Sequence, residues 1–204
     1  MRLALALSLL TTPVFAQNCG GPLPAFLDGI RAEAASMGFD ASATQRLLQG
    51  AEIDPAVLRA DRSQGVFQKD FISFSRALIS QNRMDNGRVY GNRFDRTFDS
   101  IEAKFGIPRG VILAFWAFET DFGQVQGNFN TRNALVTLAH DCRRPELFRP
   151  QLLAAIELTA LGGMNPATTT GAWAGEIGQV QMLPKDIIEN GMDGDGDGVV
   201  DLKG

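Results

Sequence analysis

The chain is 204 residues long, 45% hydrophobic and 21% charged, an ordinary globular balance with enough length to bury a core without disulfides or a metal. Its single histidine, His140, excludes HExxH and other multi-histidine metal sites, and its two cysteines are too few for a zinc finger or an iron–sulfur cluster. Nineteen basic against 23 acidic residues, a net charge of −4, argue against a dedicated nucleic-acid binder.

Residues 1–16 read as a secretory signal peptide, with Arg2 as the positive end, the apolar run Leu3–Leu10, and small or medium residues Val14 and Ala16 before a cut ahead of Gln17. That run is too short to span a bilayer, which needs about 20 residues, so the mature chain is expected to be exported and soluble, with no transmembrane segment. Export to an oxidising compartment permits a Cys19–Cys142 bridge, and spacing alone leaves two free thiols as the other possibility.

Beyond the signal the period is helical. Leu23, Phe26, Leu27, Ile30 and Ala34 form an apolar stripe. Asp40 caps a second helix that stops at Gly50, and Asp54-Pro55 starts a third. Phe71, Phe74, Leu78 and Ile79 mark one further amphipathic segment, and Phe94, Phe98, Ile101 and Phe105, ended by Gly106, mark another. These phenylalanine stripes read as core. Pro108 opens a helix from Arg109 to about Thr120, another runs from Pro145 to Leu161, and a short one from Pro184 to Glu189. Only Gly198–Leu202 has the pattern of a short strand. The fold class is mainly α, in one chain expected to act as a monomer.

Val111–Phe118 is apolar on every face, which predicts a buried helix closed by Glu119. With Phe115 and Trp116 on the turn below, desolvation would keep the Glu119 carboxyl protonated, and a neutral acid can protonate a leaving group in glycosidic cleavage. The alternative is a glutamate at a helix end in water. No second acid nearby shares its face, so the pattern suggests one carboxyl used first as acid and then as base.

Gly171–Pro184 holds three closely spaced glycines, an amide at Gln181 and an aromatic plate at Trp173, which suit either sugar recognition or a tight packing corner. Asp193-Gly-Asp-Gly-Asp-Gly198 matches the opening of an EF-hand calcium loop, with Asp193, Asp195 and Asp197 at positions 1, 3 and 5, the Val199 carbonyl at 7 and Asp201 at 9. Position 12, normally glutamate, is Gly204.

These segments together resemble the membrane-bound lytic transglycosylase B family. Phe118-Glu-Thr-Asp-Phe-Gly123 is similar to its catalytic signature. Gly171-Ala-Trp-Ala-Gly with Gly178-x-x-Gln181-x-x-Pro184 is similar to its second motif, and Arg143-Arg144 with Phe148 to a third. The aspartate loop follows in the expected place. The resemblance implies a lysozyme-like α+β core, residues 93–204, packed with a helical flank, residues 17–92. It implies a periplasmic enzyme on peptidoglycan, cleaving the N-acetylmuramic acid–N-acetylglucosamine bond without water to leave a 1,6-anhydro end. Glu119 would be the acid and then the base, Gln181, Arg143 and Arg144 would line the glycan groove, and calcium would occupy the aspartate loop. Three departures stand out: Ala172 replaces a serine, Glu176 replaces a small alanine, and the family's domain continues past the calcium loop. A non-catalytic peptidoglycan binder, or a hydrolase using Glu119 and Glu176, is the other reading.

Overall fold

The computed structural model describes residues 19–63 and 70–202; the expected signal peptide lies outside the described residues. Three helices come first: α1 (Leu23–Ser36), α2 (Ala41–Leu48) and α3 (Pro55–Arg62). The Asp40 carboxylate accepts from the Ala43 N–H at 2.6 Å, and Asp54 from Ala56 at 2.7 Å, which satisfies the first-turn donors that a helix cannot satisfy itself. Then come α4 (Phe71–Leu78), α5 (Gln81–Arg93), α6 (Asp95–Phe105) and α7 (Arg109–Thr120). The chain finishes with β1 (Phe129–Asn130), α8 (Thr131–His140), α9 (Pro145–Ala160), β2 (Thr170–Gly171) and α10 (Pro184–Asn190).

The two strands pair antiparallel, Phe129 opposite Gly171 and Asn130 opposite Thr170. Two residues are too few to show an alternating pattern, which is why the sequence did not announce them. Among the described residues the strand expected at Gly198–Leu202 does not form, although the Leu202 carbonyl accepts from the Gln179 N–H at 2.8 Å.

One core runs through both halves of the chain. Ile30, Leu47, Leu48 and Val57 from the first three helices are fully buried against Leu135, Leu138, Leu152 and Ile156 of α8 and α9. The central buried helix is α8, in which Thr131 and every residue from Asn133 to Ala139 are inaccessible. This corrects the expectation for α7, where only Ala117 and Thr120 are buried and Phe115 is 62% exposed. An apolar sequence shows that a helix has no polar face; it does not say what covers each face, and here α5 and α6 cover only part of it.

The phenylalanine stripes need the same correction. Phe98 is buried, but Phe71 is 77% exposed, and Phe94 and Phe105 also face outward. Helix α5, polar enough to have escaped notice in the sequence, packs on α7 through a small-residue seam. A Cβ on Gly91 would stand 3.2 Å from Leu113 Cδ1, and one on Gly87 would stand 3.7 Å from the Phe122 ring.

Cys19 and Cys142 are joined, with Cα atoms 5.2 Å apart and 123 residues between them in sequence. The surrounding contacts pin the first described residues to the end of α8. The Gly20 N–H donates to the His140 carbonyl at 2.7 Å, the His140 ring nitrogen donates to the Gly21 carbonyl at 2.9 Å, and Phe26 meets the imidazole edge-on. His140 is thus a structural donor. In a Cys142→Ser variant the closed loop opens, and unfolding free energy in urea should fall by about 2–5 kcal/mol. An unchanged midpoint would show that the His140 contacts alone hold this end.

Candidate active site

Glu119 stands one residue before the end of α7, and the way the helix ends decides what it faces. The Asp121 N–H donates to the Ala117 carbonyl and the Phe122 N–H to the Trp116 carbonyl, the paired bonds of a Schellman termination. Asp121 (φ 49°) and Phe122 (φ 61°) are both left-handed, where a residue with a side chain costs about 1–2 kcal/mol. An ion pair offsets part of this: Arg83 of α5 donates to the Asp121 carboxylate at 2.5 Å and holds it below the usual carboxylate range. Phe122 packs into an aromatic cluster, 5.0 Å from Tyr90 and 5.4 Å from Trp116.

The turn is locked to the glycine-rich segment through one residue, Gln179. The Thr120 hydroxyl donates to the Gln179 carbonyl at 2.6 Å and accepts from the Gly123 N–H at 2.8 Å. The Trp116 indole N–H donates to Gln179 Oε1 at 2.7 Å. Gly123 has φ +85°, and a Cβ there would lie 2.5 Å from Gln179 Oε1. The glycine is therefore required by both backbone and space. Gln179 was missed in the sequence, where Gln181 drew attention; no local pattern distinguishes one glutamine of a loop from its neighbour two residues on.

Glu119 itself is exposed, so Phe115 and Trp116 do not bury it as expected. The desolvated carboxyl is Glu176, on the hairpin closed by the Ile177–Met182 bridge. Burial pushes Glu176 above the ordinary glutamate range and the charge of Glu119 adds to this, while the N–H groups of Glu176 and Ala174 and the Arg144 guanidinium pull the other way. Glu176 Oε2 is fully buried and has no hydrogen-bond partner. The Glu119 charge that acts on this second carboxyl comes from the end of α7, 57 residues away in sequence.

The other expected groove residues are distributed as follows. Arg143 donates to Asp61 at 2.7 Å and Arg144 pairs with the same carboxylate, which is 1% exposed. The Arg144 guanidinium also lies over the Phe148 ring, 5.0 Å from its centre. The structure thus uses both arginines to tie the end of α3 to the α8–α9 turn, with Arg144 also reaching the field of Glu176. Gln181, left-handed at φ 54°, donates to the carbonyls of Gly178 at 2.8 Å and Gln126 at 3.3 Å. Trp173 packs half-buried against the core. Cavities of about 830 and 710 Å³ lie between α5 and α7 and beneath α1, α9 and α10; neither is lined by Glu119 or Glu176.

In the aspartate loop, carboxylate oxygens of Asp193, Asp195 and Asp197 lie within 4.8 Å of one another. The loop is wound by its own side chains: Asp193 accepts from the N–H groups of Gly196 at 2.6 Å and Gly198 at 2.8 Å, and Asp197 from Val199 at 2.8 Å. Those donors hold Asp193 below the usual carboxylate range. Three gathered carboxylates are a hard-oxygen donor set of the kind calcium takes. Val199 and Asp201 follow along the same segment.

The helix–hairpin lock yields a direct test. Gly123→Ala combines a strained φ with a clash on Gln179 and should lower stability by about 2–3 kcal/mol, read as a fall in Tm. A parental Tm would mean that the turn relaxes freely and the lock carries no strain.

A family model described as the transglycosylase SLT domain matches residues 23–204. The membrane-bound lytic murein transglycosylase B of Escherichia coli (strain K12) is 25% identical over 175 residues, covering 81% of this chain and 48% of that protein. SltB3 from Pseudomonas aeruginosa, solved in complex with NAG-anhNAM-pentapeptide, matches with a TM-score of 0.83 at 32% identity, over 90% of this chain and 49% of that one. Escherichia coli Slt35 in complex with calcium matches with a TM-score of 0.78 at 25% identity, over 91% of this chain and 61% of that one. The chain spans about half the length of transglycosylase B and of SltB3. The fold is mainly helical with a small sheet, that of the lysozyme-like lytic transglycosylases, and the chain belongs to the transglycosylase SLT domain family.

Proposed function

We propose that the chain carries the acid machinery of a peptidoglycan lytic transglycosylase. The observation that carries this reading is the placement of Glu119 at an exposed helix end, fixed against the glycine-rich hairpin through Thr120, Trp116 and Gln179. The relatives support the substrate class, since SltB3 binds NAG-anhNAM-pentapeptide and NAG-NAM-pentapeptide.

In this reading Glu119 donates its proton to the glycosidic oxygen as the bond to the muramyl C1 breaks. The resulting carboxylate then takes the proton of the muramyl C6 hydroxyl as that oxygen bonds to C1. One exposed carboxyl suffices because it meets both oxygens in turn. Residues 17–92 act as a flank to the 93–204 core, and Gln181, Trp173 and the two arginines border the glycan. The protein works in the periplasm as a monomer after export; no helix among the described residues is long and apolar enough to cross a membrane.

Calcium belongs to the same proposal. Asp193, Asp195 and Asp197, with the Val199 carbonyl and Asp201, would hold it, and its charge would relieve the repulsion among the gathered carboxylates. A chelator should lower Tm, and saturating calcium at about a hundredfold over Kd should restore about 2.7 kcal/mol. The Asp193→Asn/Asp195→Asn double variant should show neither change. A Tm indifferent to calcium in the parent chain would end the metal assignment.

The functional test is digestion of purified murein sacculi with mass analysis of the fragments. Anhydro ends are expected, and Glu119→Gln should reduce their rate of appearance by about a thousandfold. Fragments heavier by one water, with reducing ends, would replace this reading with hydrolysis. Binding without cleavage would leave a peptidoglycan-binding protein.

A further inference from the structure

Helix α9 is apolar on two sides. Phe148, Leu152, Ala155 and Ile156 pack into the core, while Pro150, Leu153 and Ala154 also line the cavity of about 710 Å³ beneath α1, α9 and α10. Phe39, from the turn after α1, and Ile188 of α10 complete its apolar walls, and Met37 stands 55% exposed beside them. The cavity is a groove along α9, bordered by residues from Pro145 to Glu157, a span of about 18 Å at 1.5 Å per residue. Neither Glu119 nor Glu176 lines it, so its occupancy does not depend on the proposed reaction.

The border of the groove is acidic. Glu33, Glu146, Glu157 and Glu189 stand on it against two cations, Arg149 and Lys185. Both cations are engaged: Arg149 pairs with Glu33 at 2.5 Å, and Lys185 with Glu189 at 3.6 Å. Glu146, exposed, and Glu157, half-buried, have no cation in ion-pair range among the described residues. Two further features favour a positive donor. Helix α1 ends at the groove with no basic residue in its last turn, so its carbonyl end adds to the negative field. Pro150, inside α9, has no N–H to return to the Glu146 carbonyl, which leaves that acceptor without its usual donor. Glu146 lies in the first turn of α9, whose N–H end offsets part of its charge, so Glu157 is the stronger anchor.

We propose that this groove docks a basic amphipathic helix of a partner protein, with the helix's apolar stripe on Leu153, Ala154, Phe39 and Ile188 and its basic residues toward Glu157 and Glu146. An apolar floor between helices suits a helical occupant, which satisfies its own backbone. An extended chain would set its N–H groups against a floor that offers almost no acceptors. The spacing of the anchors sets the spacing of the partner's charges. Glu146 and Glu157 are eleven positions apart on α9, about 16 Å and close to three full turns, so they lie on one side of the helix. The partner therefore carries lysine or arginine about three turns apart, beside leucine-like residues at helical spacing. A second copy of this chain is a poorer match, because the chain is itself acidic, with a net charge of −4.

The test is a charge swap read by fluorescence anisotropy on the full chain. The probe is a labelled synthetic helix of about 16 residues, with leucines along one face and two arginines about 11 positions apart beside them. A second peptide carries glutamates in place of the arginines. The parent chain should bind the arginine peptide with a Kd of about 100 μM or tighter and the glutamate peptide at least about tenfold more weakly. The double variant Glu146→Lys/Glu157→Lys should reverse that order, and Glu157→Lys alone should cost more than Glu146→Lys alone. Ala154→Trp, which fills the floor, should abolish binding of both peptides; its circular dichroism and Tm report whether it folds, and the charge swap decides the matter if it does not. Failure of the arginine peptide to bind, equal binding of the two peptides, or a preference unmoved by the swap overturns the proposal. Sedimentation velocity covers the remaining occupant: a dimer of the parent chain that Glu157→Lys dissolves would give the groove to a second copy and overturn it as well. Murein digestion by the parent and the swapped variant should proceed at the same rate, since neither glutamate belongs to the reaction.

Discussion

The threonine hydroxyl at position 120 is the bond on which the site depends. It donates to the Gln179 carbonyl and accepts from the Gly123 N–H, so it joins the end of α7, the left-handed turn after it and the hairpin in one network. Each group in that network is committed elsewhere as well. The Gln179 side chain receives the Trp116 indole, and its N–H reaches the Leu202 carbonyl. Trp116 stacks into the cluster with Tyr90 and Phe122. Removing the Thr120 hydroxyl would take one bond from both the Gln179 carbonyl and the Gly123 N–H in a part-buried position, which is the costly side of the hydrogen-bond balance. The strained residues Asp121 and Phe122 persist because this network, with the Arg83 ion pair, overdetermines their conformation.

Much of this was legible in the sequence, for local reasons. Asp40, Asp54-Pro55, Gly106 and Pro108 mark helix ends because capping and left-handed termination need those residue types within a turn of the boundary. The Glu119-Thr120…Gly123 spacing marked the end of α7, and the aspartate repeat the gathered carboxylates. The parts that stayed hidden are those decided by distant partners. Asp61 collects Arg143 and Arg144 across 82 and 83 residues, an ion cluster that no local pattern announces. The apolar sequence of α7 did not reveal that α8, with two threonines and an asparagine among its buried positions, is the helix at the centre. Those polar groups are accommodated because they bond across elements, as when Thr137 accepts from the Asp54 N–H at 2.8 Å.

The two carboxyls illustrate the same limit in chemical terms. Hydrophobic neighbours along a helix suggested that Glu119 would be the dry acid. The helix, however, presents Glu119 on its open side, and the dry position is filled by a residue of the opposing hairpin. Burial is a property of packing between elements, and the periodicity of one element reports only half of it.

That exchange of environments has a physical logic under the proposed mechanism. The group that must meet a glycosidic oxygen and then a hydroxyl has to be reachable from solvent and able to turn between them. The opposing hairpin is fixed by its glycines: a Cβ on Gly171 would lie 1.9 Å from the Glu176 carbonyl, so the backbone can close around that residue only where no side chain intervenes.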